Sequence, residues 1–414
     1  MELDSVPQPA LDQIERVQGA DLVVGVLRPS DNGQRATVAA MVREAMEGLP
    51  QNPRGVLVVD DGSGASRVEN EQSLPSLFCK LSDSAAPAVS PQSVVGAYRS
   101  IFSISRRIGV RACTVIASEL QTVTSMWIDR LVRPALELEF DLVAPRYSRH
   151  KWEGLINRSI LSPLSQALYG KRIQSPLGPD FGLSGKLVNS ILEEQDRARG
   201  ENAGHPVASV VSAAVRGNFQ ICEAQLGARQ QPPADWMNLS SLLAQILGPV
   251  FLDVERNAAV WQRMRESQLV PAFGKLESAP PESGPVDAGR LIDSFQLGVK
   301  NLQDVWSLVL PPTALLEVRK LSRLPPEQFR MPDEVWVSIV YDFALAHRVR
   351  TINRDHLLRS FTPLYLGWVA SYALEMAVSG PSEVETRLER LARAFEAGKP
   401  YLVSRWRWPD RFNP

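Results

Sequence analysis

Residues 113–121 read CTVIASELQ, and this stretch decides the fold. Thr114, Val115 and Ile116 form a short β-branched run that suits a buried strand. Small and polar residues follow at once, then Thr122-Val123-Thr124-Ser125, then an amphipathic segment from Met126. The pattern is a strand running into a loop ahead of a helix. In open α/β sheets ligands sit beyond the carboxyl ends of the strands, so Ala117-Ser118-Glu119 marks a place for chemistry. It carries a single carboxylate.

The chain before this stretch repeats the same grammar. DLVVGVL at 21–27 is a continuous apolar run, as in a buried parallel strand. A polar loop, Arg28-Pro29-Ser30-Asp31-Asn32-Gly33, separates it from residues 36–49, where Val38, Met41, Val42, Ala45 and Met46 fall at helical spacing. GVLVV at 55–59 is a second strand and ends in Asp60-Asp61-Gly62-Ser63-Gly64. This is βαβ with a polar loop after each strand. Residues 80–93 read as a Ser/Ala/Pro-rich surface loop and 94–108 as a helix.

Downstream, the pattern predicts a helix over 127–138 and a strand over 140–145. Helices follow at 157–169, 186–194 and 207–215, with a tight loop at 178–182 and a last strand at 219–226. After Pro232-Pro233 the character changes. Residues 236–265 are helical, 274–288 form a Pro/Gly/Ser-rich linker, and 290–401 are helical almost throughout. Leu364 to Met376 is apolar all round, as in a buried central helix. The expected division is a tail at 1–18, an α/β domain at 19–235, a connecting helix and linker at 236–288, and a helical domain at 289–414.

Composition excludes several classes. With 45 basic and 46 acidic residues the net charge is −1, which gives no bulk attraction to nucleic acid. Cys79, Cys113 and Cys222 lie far apart, and with four scattered histidines no Cys/His cluster has zinc spacing. Buried thiols of a reducing compartment are expected. The first residues have neither a basic n-region nor an apolar h-region, and no apolar stretch is long enough to span a bilayer. The expectation is a soluble, cytoplasmic protein.

The βαβ start with VVDDGS resembles the GT-A class of nucleotide-sugar glycosyltransferases. Three further segments, VAPRYSRHKWEGLINRSILSPLSQALYGKRIQSPLGPDFGLSG, PDEVWVSIVYDFALAHR and INRDHLLRSFTPLYLG, resemble the glucosyl-3-phosphoglycerate, glucosylglycerate and mannosylglycerate synthase group. The resemblance spans residues 20–410 and implies a Rossmann-like, mostly parallel GT-A domain followed by an all-helical C-terminal domain. It implies that Asp60 or Asp61 contacts the nucleotide. Ser118 and Glu119 fall where an Asp-x-Asp pair binds metal and donor, and Ala117 replaces its first acid. Pro176-Leu177-Gly178-Pro179-Asp180 matches the loop that reaches donor sugar and acceptor, making Gly178 a donor contact and Asp180 the catalytic candidate. The expected loop lysine is missing near Ser93-Val94-Val95, an acid is missing at His205-Pro206, and the metal histidine is missing near Gln230-Gln231.

These departures bear on mechanism. Departure of a nucleoside diphosphate needs its charge neutralised, ordinarily by Mg²⁺ or Mn²⁺. Here only Glu119 remains as a ligand, so the expectation is a weakly held divalent metal or none. Without metal, arginines take over, and Arg99, Arg146, Arg149 and Lys151 are the candidates. The resemblance implies retaining transfer of a hexose to a small hydroxylated acceptor such as glycerate or phosphoglycerate. The alternative is a catalytically degenerate relative kept as a binding, scaffold or regulatory subunit, as a homodimer or beside an active paralogue. A third reading places another anionic ligand in the same cleft.

Overall fold

The computed structural model describes residues 19–27, 32–50, 52–60, 67–71, 74–79, 81, 91–117, 120, 122–198, 205–229, 239–275, 284 and 286–408. The expected tail, Asp61, Ser118, Glu119 and Gln230-Gln231 lie outside them. The chain divides into two compact units: residues 1–148, 175–231 and 270–279, and residues 149–174, 232–269 and 280–414. The chain therefore crosses between units more often than a single connector at 236–288 provides.

The first unit is built on a sheet with nine strands among the described residues. These are β1 (Leu22–Leu27), β2 (Gly55–Asp60), β3 (Arg67–Glu71), β4 (Leu74–Cys79), β5 (Ala112–Ile116), β6 (Leu142–Ser148), β8 (Phe181–Ser184), β9 (Ile221–Ala228) and β11 (Ala272–Phe273). Their order across the sheet is β11-β9-β6-β8-β5-β1-β2-β4-β3. The remaining two-residue strands, β7 (Lys171–Arg172) and β10 (Gln268–Leu269), pair with each other in the second unit. All sheet neighbours are parallel except β3 on β4 and β8, which runs antiparallel between β5 and β6.

Strands β1, β2, β5 and β9 occur where the apolar runs predict them. Their side chains are buried because helices cover both faces of a parallel sheet. Helices α1 (Asn32–Glu47) and α3 (Ser125–Glu137) pack together, whereas α2 (Pro91–Ile108) packs on α5 (Gly185–Arg197), which in turn meets α6 (Val210–Arg216). Glycine allows two close approaches. A Cβ on Gly25 would stand 2.5 Å from Ile101 Cδ1 of α2, and one on Gly182 would stand 1.9 Å from the Leu131 carbonyl of α3.

Two sequence expectations change here. Phe181-Gly182, expected in a tight loop, open strand β8. FGLS is too short to announce itself, and it is stabilised by neighbours on both sides. The β3–β4 hairpin was not expected, because Pro75 interrupts LPSLFC; the proline sits near the turn, opposite Asn70. The three cysteines are buried, as expected.

The second unit is helical. It comprises α4 (Ser162–Tyr169), α7 (Leu239–Arg256), α8 (Ala258–Trp261), α9 (Ala288–Asn301), α10 (Gln303–Ser307), α11 (Pro312–Leu321), α12 (Asp333–Val349), α13 (Arg354–Ser360), α14 (Thr362–Met376) and α15 (Pro381–Arg407). A π-helical turn over Asn157–Leu161 precedes α4. The predicted central helix is α14, buried along nearly its whole length. Trp336 of α12 stacks on Trp368 of α14 at 5.7 Å, and Trp368 on Tyr372 at 5.2 Å. Beside them Arg387 of α15 bridges Asp333 and Glu375, each at 2.7 Å. Among the described residues no helix is long and apolar enough to cross a membrane.

Candidate functional site at the carboxyl edge of the sheet

Strand register brings the candidates of the first unit to one edge. Leu27, Asp60 and Cys79 lie side by side at the carboxyl ends of β1, β2 and β4. Val26 pairs with Ile116, so Ala117 follows at the same level. Strand β8 is antiparallel and pairs Phe181 with Val115, which brings Asp180 to this edge from its amino end. Arg146, paired with Gln225, stands at the carboxyl end of β6. Asp60, Gly178, Asp180 and Arg146 are thus gathered along one edge.

The Asp180 carboxylate is fully buried. Its Oδ1 accepts the Ala117 N–H at 2.8 Å and its Oδ2 accepts the Tyr147 hydroxyl at 2.6 Å. It therefore ties the end of β5 to the end of β6. The loop before it is clamped as well. The Tyr98 hydroxyl donates to the Pro179 carbonyl at 3.1 Å, and the Tyr98 ring stacks on Phe181 at 5.6 Å. A Cβ on Gly178 would fall 2.2 Å from the Pro145 ring. Beneath the loop, Ala144, Pro145, Pro176, Phe181, Val207 and Val210 leave about 10 Å³, too little to hold a ligand.

Asp60 also turns inward: it is buried, and its Oδ1 accepts the Leu81 N–H at 3.2 Å. His205, standing where the resemblance expects an acid, accepts the Val207 N–H on Nδ1 at 3.1 Å. Its ring lies 6.3 Å from Tyr98, and burial pushes its pKa down to about 4.

Two arginines mark the other end of this edge. Arg146 lies 3.3 Å from the buried carboxylate of Glu223, and Arg229 stacks over the Tyr147 ring at 5.6 Å. The Nε of each is buried and has no hydrogen-bond partner among the described residues. A buried N–H donor without an acceptor is costly, so each of the two arginines keeps an unmet donor at this end of the edge. Arg99, by contrast, is committed with Arg106 to Asp196. Arg149 and Lys151 belong to the second unit, where the Lys151 ammonium donates to the Ala377 carbonyl at 2.8 Å.

A divalent cation is not provided for by the described residues. Ala117 contributes no ligand, the Asp60 and Asp180 carboxylates hold backbone and hydroxyl donors, and no group of three His, Cys, Asp or Glu side chains is arranged around a common point.

Sequence reasoning missed Tyr98, Tyr147, Glu223 and Arg229. Glu223 carried a readable signal, an acid inside the apolar strand FQICEAQL. Arg229 had a weaker one, a cation just beyond the strand that becomes β9. The two tyrosines act across long separations that no local pattern reveals.

Counted without the edge strands β3 and β11, and numbered along the chain, the sheet order is 3-2-1-4-6-5-7 with the sixth strand antiparallel. That order, with a helical C-terminal region, defines a mostly parallel α/β fold of the kind the GT-A resemblance leads one to expect. Among solved structures, the chain is similar to M. tuberculosis glucosyl-3-phosphoglycerate synthase at 17% identity and a TM-score of 0.38, covering 61% of this chain and 85% of that one. It is also similar to mannosyl-3-phosphoglycerate synthase from Rubrobacter xylanophilus at 15% identity and a TM-score of 0.40, covering 63% and 82%. No protein-family model matches the chain, and no curated protein does.

Proposed function

We propose that the chain is a nucleotide-sugar-dependent glycosyltransferase. In this reading it transfers a hexose with retention to a small hydroxylated acceptor such as glycerate or phosphoglycerate. The observation that carries it is the pair of orphaned guanidinium nitrogens, Arg146 Nε and Arg229 Nε, at the carboxyl edge of a GT-A sheet. The donor diphosphate is the anion they accept. As the bond from the sugar anomeric carbon to the phosphate oxygen breaks, negative charge grows on that oxygen, and preplaced guanidinium donors stabilise it. The departing phosphate takes the acceptor hydroxyl proton on the same face, which accounts for retention without a protein base. Asp180 is then a positioning residue, holding the Ala117 turn and Tyr147 rather than touching the sugar. Asp61, Ser118 and Glu119 keep the donor-side roles that the sequence resemblance implies, with Glu119 the single candidate metal ligand. The test is incubation with UDP- and GDP-hexoses plus glycerate or 3-phosphoglycerate, with Mn²⁺ or with EDTA, reading nucleotide release. Transfer that survives EDTA and falls at least tenfold in Arg146→Ala/Arg229→Ala supports the reading. No release from any donor defeats it.

A second reading is favoured by the inward-facing Asp60 and Asp180 carboxylates. In it the chain is catalytically silent and serves as a binding or scaffold subunit, as a homodimer or with an active paralogue. Donor binding without turnover distinguishes it.

A further inference from the structure

The helical unit contains a cavity of about 550 Å³ far along the sequence from the sheet-edge residues. Its walls come from the chain just after α8 and from the second half of α15. Three cations line it: Arg265, Lys399 and Arg407. Glu396 is the one acid beside them. None of the three cations forms an ion pair with a carboxylate among the described residues. The Lys399 ammonium donates to the Met264 carbonyl at 2.6 Å, and Arg407 Nε donates to Gln262 Oε1 at 2.9 Å. Those bonds leave further N–H donors on both groups. Trp408, a residue that is 60% exposed, stands at one side. The two walls are held in register by Trp261 and Trp406, whose rings meet edge to face at 5.2 Å.

Three cations against one acid leave an excess of positive charge whose members repel one another. An anion relieves that repulsion. Arginine forks and a lysine point charge are the usual donors to phosphate oxygens, and an exposed indole is a stacking platform for a flat ring. The volume falls within the range of small-molecule pockets. We propose that this cavity is a second ligand site, for an organic phosphate bearing a planar ring, of which a nucleotide is the representative. Burial draws the Lys399 pKa down to about 8 against the opposing influence of Glu396, and a phosphate bound beside it returns the ammonium to full charge.

The test uses the full chain, with ATP and inorganic pyrophosphate as probes in low-salt buffer containing EDTA. Calorimetry gives affinity, and tryptophan fluorescence reports the ring. The expected result is saturable ATP binding with quenching. It weakens about a hundredfold in Arg265→Glu/Lys399→Glu, each lost charge-assisted bond being worth roughly tenfold. Trp408→Phe is expected to reduce the quench, and Trp408→Ala to weaken ATP about fivefold or more while leaving pyrophosphate unchanged. Arg146→Ala/Arg229→Ala is expected to leave this ATP site intact, which separates it from the sheet edge. ATP binding unchanged in the charge-reversed variant overturns the proposal. So does pyrophosphate binding as tightly as ATP with no effect of Trp408→Ala, which would leave a plain anion patch.

Discussion

Replacing Asp180 with alanine separates two roles for this residue. A carboxylate that touches substrate is dispensable for folding, whereas one holding the sheet edge together is not. Asp180 accepts two bonds from groups of the first unit, one from the Ala117 N–H and one from the Tyr147 hydroxyl, and it is fully buried. Hydrogen bonds to charged groups are worth about 1.5–3 kcal/mol each. Removing the carboxylate also removes the cost of burying its charge, so the net loss is about 2–4 kcal/mol. For a unit of this size each kcal/mol moves the midpoint by about 2–4 °C, which gives a fall of roughly 4–16 °C. Thermal and urea unfolding measure it, and a double-mutant cycle with Tyr147→Phe isolates one bond, with an expected coupling of about 1–2 kcal/mol. A midpoint within about 2 °C of the parent would refute the inward-held carboxylate, because changes that small belong to surface positions. Loss of activity with that unchanged midpoint would return Asp180 to the substrate.

Three further outcomes follow from the packing. Gly182→Ala drives a Cβ into the Leu131 carbonyl of α3 and is expected to cost about 3 kcal/mol or more, seen as a lowered urea midpoint; a silent substitution would contradict the strand–helix contact. Arg387→Ala removes the buried guanidinium that bridges the partly buried Asp333 and Glu375 carboxylates, leaving them only the exposed Arg390, and is expected to destabilise the helical unit by about 1.5–3 kcal/mol, by far-UV circular dichroism melts. The pKa of His205 is depressed from 6.5 to about 4 by burial, so the unfolded chain binds the extra proton between those values. The stability it contributes is present above pH 6.5 and is lost as pH falls towards 4, by at most about 3 kcal/mol. His205→Gln is expected to flatten that part of the pH–stability curve, and an unaltered curve would show that the imidazole is not held neutral.

The sheet was legible because parallel strands covered on both faces must be apolar at every position, and DLVVGVL, GVLVV and CTVI announce that directly. The helical unit was legible for a related reason: α14 is apolar all round and lies buried. What stayed hidden was whatever depends on partners distant in sequence. Strand β8 is four residues long and is set by pairing to both β5 and β6. The acidic residue in SPLGPDFG was visible, but its partners lie 63 and 33 residues away. Nothing local says whether such a carboxylate faces a ligand or a tyrosine. Likewise, Arg146 and Arg229 look like ordinary surface cations in sequence; only register and burial reveal that each keeps a donor without an acceptor.

In the proposed function, the carboxyl edge of the sheet binds the diphosphate of a sugar nucleotide through Arg146 and Arg229. Calorimetric titration of UDP-glucose and GDP-mannose into the parent and into Arg146→Ala/Arg229→Ala, both in EDTA, tests it most directly. Saturable binding of one donor by the parent is expected, with an affinity lowered about a hundredfold in the variant, two charge-assisted contacts being removed. Donor binding that is absent in EDTA but restored by Mn²⁺, or equal affinities in the two proteins, would contradict it.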